Sequence, residues 1–234
     1  MDAETAPWRN TTHDWTRSVD VAHIAGIRRD QAAFAPGGLR HLLLEVLAYA
    51  ADEAECSAGA GHCTVTLHPD GSVSVADEGR GTDTRLDDRG RPVRKPVMAT
   101  KDLRFFDHPG AQVLPDGHPR RGMSVVAALS DWPVHTNRRA GGAWVQRYEH
   151  GVPATGLTPI ADDGTTGTTV HFSPSGPVRA ASAGGTPAPA APAPAPAPAP
   201  EPAPAPEPAP ALLDPAALAT AWPYLSVEVH DRRA

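Results

Sequence analysis

The chain has 234 residues, of which 21 are Lys or Arg and 27 are Asp or Glu, so its formal net charge is −6. This length suffices for one domain with its own core, and the acidic balance argues against a protein whose main task is to coat nucleic acid. No apolar run approaches the ~18 residues that would span a membrane, and the polar residues 1–17 lack the apolar core of a signal peptide. We therefore expect a cytoplasmic protein.

The N-terminal residues and the two cysteines carry little structural signal. Residues 1–20 are polar and are predicted to form a flexible arm. Cys56 and Cys63 have no second Cys or His pair to join them. Two free thiols are therefore expected, and a disulfide or a metal pair is the alternative.

The first strong element is an amphipathic helix that begins after Gly37-Gly38, where the chain leaves a mixed segment with a Gly/Pro break. Apolar side chains recur there at i, i+3, i+4 and i+7, which predicts one face packed on a core. These side chains are Leu39, Leu42, Leu43, Val46 and Ala50.

Two segments that alternate apolar and polar residues follow this helix, at 63–68 and 72–76. Pro69-Asp70-Gly71 between them is a tight-turn signal, so the pair predicts a β-hairpin. Residues 82–121 are rich in Arg, Asp, Gly and Pro, and they predict a long irregular connection with one short helix near Val97. A connection of this length in a compact domain is usually functional or mobile.

The second half of the chain predicts a helix, three strands and a proline-rich interruption. The helix is expected at 122–129 and the strands at 132–136, 143–150 and 167–172. Residues 184–211 are a Pro-Ala tract, which favours extended polyproline II and serves either as a spacer or as a ligand for a proline-binding domain. A predicted helix at 212–222 and a strand at 225–230 follow. We therefore expect one domain over 21–233, interrupted by a disordered insertion at about 176–211.

Several ordered motifs carry a family resemblance. They are Gly38 to Val46, Asp70 to Gly81, Gly122 to Ser130, Gln146 to Pro153, Thr166 to Pro174 and Leu218 to Arg232. In this order they resemble the N-terminal ATPase domain of DNA gyrase B, of the type II topoisomerase family and the GHKL ATPase superfamily. The resemblance implies an α/β two-layer sandwich of GHKL (Bergerat) type, with a mixed, mostly antiparallel sheet and helices on one face. The order of helix, hairpin and strands favours the same class.

The resemblance implies an ATP site built around Asp77, with Thr168 as its helper. A carboxylate at the end of a strand can accept a hydrogen bond from the exocyclic amine of adenine, although Asp-Glu-Gly also suits an ordinary turn. Gly79 and Gly81 would let the backbone come close to a ligand.

The family also implies an arginine that lies over the adenine and pairs with a glutamate of the first helix. Arg80 and Glu53 match these positions. The alternative is a surface ion pair, which would contribute little to stability.

The catalytic side of the site departs from the family pattern. Glu45 matches the glutamate that activates the attacking water, and it is the candidate base. Tyr49 stands at the family's magnesium-ligand position, one helical turn later. Mg²⁺ prefers compact oxygen ligands, so Mg²⁺ binding is in doubt and no metal ligand is predicted.

The predicted phosphate loop runs from Gly117 to Gly122. Pro119 removes a backbone donor there, and Arg120 takes a position that is glycine in the family. Arg120 and Arg121 could still bind phosphate by charge, together with the backbone at Gly122.

These features predict an ATP-binding domain without the transducer and DNA-cleavage domains, which binds nucleotide with weak or no hydrolysis. One alternative is an active Mg²⁺-dependent ATPase of the topoisomerase type, completed by a partner chain that supplies a missing lysine. Another is a nucleotide-free interaction module with Tyr49 filling the site. Direct DNA binding by this chain alone is not expected.

Overall fold

The computed structural model describes residues 13, 19–56, 60–82, 85–86, 89, 92–93, 96–106, 112–182 and 212–233. Its α-helices are α1 (Val21–Arg29), α2 (Gln31–Phe34), α3 (Leu39–Cys56), α4 (Met123–Ala128), α5 (Gly176–Ser182) and α6 (Pro215–Ala221). Its strands are β1 (Gly61–Leu67), β2 (Val73–Asp77), β3 (Arg85–Leu86), β4 (Pro92–Val93), β5 (Ser130–Arg139), β6 (Gly142–Glu149), β7 (Val152–Pro153), β8 (Thr158–Pro159), β9 (Gly167–Pro174) and β10 (Leu225–Asp231). A short 3₁₀ helix covers Pro96–Met98.

The main sheet has the order β10-β1-β2-β9-β5-β6-β7, and β8 also pairs with β6. Strands β1 and β10 are parallel, and the other neighbours in this sheet are antiparallel. Strands β3 and β4 form a separate two-stranded sheet. The predicted α/β class with a mixed, mostly antiparallel sheet is confirmed.

Helix α3 supplies the centre of the core. All five residues of the predicted apolar stripe are buried, Leu42 and Leu43 completely, and burial extends beyond the stripe to Leu44 and Leu47. The helix packs on β1, β2 and β10 and also contacts α4 and α5. Burial of a leucine side chain contributes roughly 1.5–3 kcal/mol, so this stripe holds the helix layer on the sheet.

The predicted hairpin forms between β1 and β2, with Val65 opposite Val75. In its turn, Asp70 Oδ1 accepts hydrogen bonds from the backbone N–H and the hydroxyl of Ser72, at 2.9 and 2.6 Å. Gly71 takes a positive φ of 78°, which glycine adopts without strain. The turn therefore fixes the register that brings Asp77 to the end of β2.

Some boundaries differ from the sequence predictions. The first seven residues of the predicted insertion form α5, because the Gly-Pro start suits the first turn of a helix. The predicted helix at 212–222 is α6, where the Asp214 side chain accepts a hydrogen bond from the Ala216 N–H at 3.0 Å. Residues 183–211 and most of the predicted N-terminal arm lie outside the described residues.

Among the residues that the structure describes, no helix is both long and apolar enough to cross a membrane. Cys56 is exposed, Cys63 is buried, and both are free thiols.

Candidate functional site

A cavity of about 420 Å³ lies between α3, the sheet and the 3₁₀ helix at Pro96–Met98. Five predicted site residues line it together: Glu53, Asp77, Arg80, Gly81 and Thr168. Gly79 lines a smaller neighbouring cavity of about 240 Å³, whose wall also includes Glu53, Asp77 and Arg80. The lining of the larger cavity does not include Glu45, Arg120, Arg121 or Gly122.

Asp77 is the carboxylate of this cavity. It ends β2, and its Oδ1 accepts a hydrogen bond from the Gly79 N–H at 2.8 Å. Burial raises the pKa of Asp77, and the nearby charge of Glu53 raises it further. Backbone hydrogen bonds from Gly79 and Thr168 oppose this rise. The Asp77 carboxylate therefore lies in a partly desolvated place where it can accept a hydrogen bond from a ligand N–H.

The glycines beside Asp77 allow close approach of neighbouring chain segments. A Cβ on Gly79 would lie 2.7 Å from Glu53 Cγ and 2.8 Å from Asp77 Oδ1. Gly81 has a φ of +74°, and a Cβ there would overlap the backbone carbonyl oxygen of Arg138. Side chains at these two positions would push apart α3 and the strands that form the cavity.

The predicted pair between Arg80 and Glu53 forms at the cavity wall. Arg80 Nε lies 2.6 Å from Glu53 Oε1, and Arg80 Nη2 lies 3.1 Å from Oε2. The backbone N–H of Arg80 also donates to Oε1 at 3.2 Å. Because the Arg80 side chain is 63% exposed, this pair shapes the cavity more than it stabilises the fold.

Apolar side chains form much of the remaining wall. Such walls, with a few placed polar groups, are typical of small-molecule sites. The aliphatic and thioether contributors are Val46, Val75, Val97, Met98, Met123, Leu157 and Val170.

The far end of the cavity contains polar and aromatic side chains that the sequence analysis missed. Alternating positions of β5 and β6 point them to one face of the sheet. They are His135, Asn137 and Arg139 on β5 and Trp144, Gln146 and Tyr148 on β6. The alternation was visible in the sequence, but the strand pairing that brings them to the cavity was not.

Asn137 holds the chain that follows the site glycines. Its Oδ1 accepts the Thr82 N–H at 2.6 Å, and its Nδ2 donates to the Thr82 carbonyl at 2.9 Å. On β6, the Tyr148 hydroxyl donates to Gln146 Oε1 at 2.8 Å. These polar groups are therefore held in fixed orientations beside the cavity.

Glu45 is fully buried on α3, outside the cavity lining. Its two carboxylate oxygens accept the backbone N–H groups of Arg121 and Gly122, the latter at 2.7 Å. His41, one turn earlier, places Nε2 3.4 Å from Glu45 Oε1 and Nδ1 2.6 Å from Asp116 Oδ2. His41 was not among the site residues predicted from the sequence, although its i,i+4 spacing from Glu45 was a usable signal.

Arg120 is also buried, with 1% of its side chain exposed. Its Nη1 and Nη2 lie 3.0 and 2.9 Å from the two carboxylate oxygens of Asp52, and Nη1 also donates to Gln112 Oε1 at 2.8 Å. The guanidinium stacks between the rings of Tyr49 and Phe105, at 4.6 and 4.3 Å. Arg120 is therefore packed into the protein, in contrast to its predicted contact with phosphate.

Arg121 turns toward a different aromatic side chain, with its guanidinium 5.5 Å from the Phe106 ring centre. Gly122 precedes α4 with a φ of 94°. A Cβ on Gly122 would lie 3.2 Å from both Asp102 Cβ and the Tyr49 hydroxyl oxygen. The predicted phosphate loop thus packs tightly against the Tyr49 side of the cavity.

No protein-family model matches the chain. Over 138 residues, or 58% of the chain, it is 36% identical to the B-type subunit of DNA topoisomerase 4 from Bacillus subtilis. Over 141 residues, again 58% of the chain, it is 37% identical to the B-type subunit of DNA gyrase from Thermotoga maritima. The matched region is therefore similar to one part of the B subunits of gyrase and topoisomerase IV.

The chain spans only about a fifth of the length of these relatives: 21% of the Bacillus protein and 22% of the Thermotoga protein. The family likeness therefore concerns one region of a larger type of protein. It agrees with the sandwich fold and with the motifs that surround Asp77.

The residues at the family's magnesium position do not fit a magnesium ion. Tyr49 donates its hydroxyl proton to Asp102 Oδ2 at 2.8 Å. Burial raises the pKa of Tyr49, and Asp102 adds to the rise, so the phenol stays neutral. The described residues contain no group of three or more His, Cys, Asp or Glu side chains suited to a metal ion.

Proposed function

We propose that this chain is an ATP-binding domain of the gyrase B type that binds adenine nucleotide and hydrolyses it weakly or not at all. The observation that carries the proposal is the position of Asp77, a partly desolvated carboxylate in an apolar-walled cavity beside Gly81 and Thr168. In this proposal Asp77 accepts a hydrogen bond from the exocyclic amine of adenine, and Thr168 assists Asp77 in binding the base. The ion pair of Arg80 with Glu53 shapes the cavity wall.

Weak hydrolysis follows from the residues on the other side of the site. Phosphoryl transfer depends on positioned donors and on neutralisation of phosphate charge. Glu45 is fully buried outside the cavity lining, and both of its carboxylate oxygens accept backbone N–H groups, so a water in the cavity does not reach them. Tyr49 offers no ligand for the metal that neutralises phosphate.

Calorimetric titration with ADP tests the proposal. Asp77→Asn replaces the acceptor carboxylate with an amide whose N–H₂ group faces the ligand amine, and we expect at least ~10-fold weaker binding. Asp70→Asn is the matched control, because Asp70 lies on the same hairpin outside the cavity. If Asp77→Asn binds ADP as tightly as the unchanged chain, the proposed adenine site is wrong.

A second candidate is an active ATPase completed by a partner chain, as in an ATP-dependent topoisomerase. The buried pair of His41 and Glu45 favours it, because an i,i+4 histidine can orient a catalytic carboxylate. This candidate predicts Mg²⁺-dependent phosphate release that Glu45→Gln abolishes. Equal phosphate release by Glu45→Gln and the unchanged chain would exclude it. Cytoplasmic localisation and the lack of direct DNA binding belong to both proposals.

A further inference from the structure

One end of the cavity is closed by a set of side chains that satisfy one another. We call Tyr49, Asp52, Asp102, Arg104 and Arg120 the closing cluster. Arg104 Nη2 lies 2.8 Å from Asp102 Oδ2, the oxygen that also accepts the Tyr49 hydroxyl. Arg104 Nη1 lies 3.8 Å from Asp52 Oδ2, which joins this pair to the Asp52–Arg120 pair.

The charges of the closing cluster cancel. Its two guanidinium groups, Arg104 and Arg120, face its two carboxylates, Asp52 and Asp102. A phosphate group could pair with Arg104 or Arg120 only after displacing the carboxylate that already neutralises that arginine. For Arg120 this exchange is costly, because breaking a buried ion pair leaves a charge without its partner.

Backbone donors near the cluster are also engaged. The N–H groups of Arg121 and Gly122, at the start of α4, donate to Glu45. The Tyr49 hydroxyl and Asp102 fill the space beside Gly122. The loop therefore offers neither the free donors nor the room that a phosphate group needs.

The part of the cavity toward β5 and β6 has a different character. Its lining includes the uncharged side chains of Asn137, Trp144, Gln146 and Tyr148, together with His135 and Arg139. Arg139 is already engaged there, because its Nη1 donates to the Gly81 carbonyl at 3.1 Å. Asp77 and Thr168 lie on the β2–β9 side. Polar recognition is thus available for a base and a sugar, whereas the end that should receive phosphates is closed by balanced charges.

We infer that the cavity takes the nucleoside part of an adenine ligand and gives the phosphate chain no favourable contact, so that binding is independent of phosphate number and of Mg²⁺. This inference rests on the proposed adenine site and narrows its ligand class from adenine nucleotides to adenine nucleosides. The closing cluster forms a rigid end of the cavity at the position where the phosphates of a bound nucleotide would lie.

Calorimetric titration with adenosine, AMP, ADP and a non-hydrolysable ATP analogue, each with and without Mg²⁺, tests the inference. We expect dissociation constants within about threefold of one another, a difference of only ~0.7 kcal/mol, and no change on adding Mg²⁺. Binding of the ATP analogue ~10-fold tighter than adenosine, or its tightening by Mg²⁺, would overturn the inference and leave the proposed function intact. No binding of any of the four ligands would overturn both.

A pair of variants tests the charge balance itself. Asp52→Asn leaves the Arg120 charge uncompensated, so the ATP analogue should gain at least ~3-fold in affinity relative to adenosine. Asp131→Asn is the matched control: Asp131 is 43% exposed and pairs with Arg179 outside the cavity, whereas Asp52 is 38% exposed. Thermal melts establish that both variants are folded. An unchanged preference in folded Asp52→Asn would contradict the inference.

Discussion

His41 and Asp116 form a short, buried contact that joins α3 to the loop before α4. The distance between His41 Nδ1 and Asp116 Oδ2 is 2.6 Å, and the two side chains are 1% and 5% exposed. Glu45 lies on the other side of the same imidazole, 3.4 Å from Nε2. The histidine therefore connects the two carboxylates that position the predicted phosphate loop.

This contact makes stability depend on pH. Burial alone would lower the pKa of His41, but the hydrogen bond to Asp116 and the nearby Glu45 outweigh it and raise the pKa from 6.5 to about 9. The contribution of protonated His41 to stability is complete below its unfolded-state pKa of 6.5 and is lost as the pH rises through its folded-state pKa. We expect the free energy of unfolding to fall by on the order of 3 kcal/mol from pH 6 to pH 10.

Urea unfolding at these two pH values measures the effect. His41→Gln keeps a polar side chain but cannot be protonated, so the fall should shrink markedly in this variant. His150→Gln is a control at an exposed turn position. A pH dependence that is equally large in His41→Gln would assign it to other groups.

A comparison of Gly81 with Gly117 separates two reasons why a position requires glycine: a positive φ, and a lack of space for a side chain. Both have positive φ, at 74° and 83°, so Gly→Ala strains the backbone at each, typically by about 1 kcal/mol. Only at Gly81 does the new Cβ meet backbone, at the carbonyl of Arg138, whereas Gly117 has nothing within 4 Å. We expect Gly81→Ala to lower the melting temperature clearly more than Gly117→Ala, and equal losses would contradict this expectation.

The Tyr49 hydroxyl should contribute to folding stability. Tyr49→Phe keeps the ring beside Arg120 but removes the donor to Asp102, which should cost about 1–2 kcal/mol in denaturant unfolding. Tyr224→Phe is the control, since Tyr224 is 57% exposed. A cost near zero for Tyr49→Phe would mean that Asp102 finds another donor without loss.

The local parts of the structure were predictable from the sequence. The spacing of Leu39, Leu42 and Leu43 predicted α3, and the Asp70-Gly71 turn predicted the hairpin. These signals act within a few residues and reflect one physical cause each, burial of a stripe or a tight turn. The motif around Asp77 likewise predicted which residues meet Glu53 and line the cavity.

The closing cluster was not predictable in the same way. Arg120 meets Asp52 across 68 residues of chain, and Tyr49 meets Asp102 across 53. Only the family resemblance drew attention to Tyr49 and Arg120, and it implied a phosphate contact for Arg120. In the structure Arg120 pairs with Asp52, because a guanidinium that is only 1% exposed needs a carboxylate beside it.

The parallel pairing of β1 with β10 has a consequence for synthesis of the protein. Residues 225–231 pair with residues 61–67, so β1 is translated long before its second neighbour. Until that neighbour emerges, β1 is an edge strand whose unpaired N–H and C=O groups can recruit another chain. Ribosomes that stall late in this message should therefore release products prone to aggregation, even though the segments that line the cavity around Asp77 have already been made.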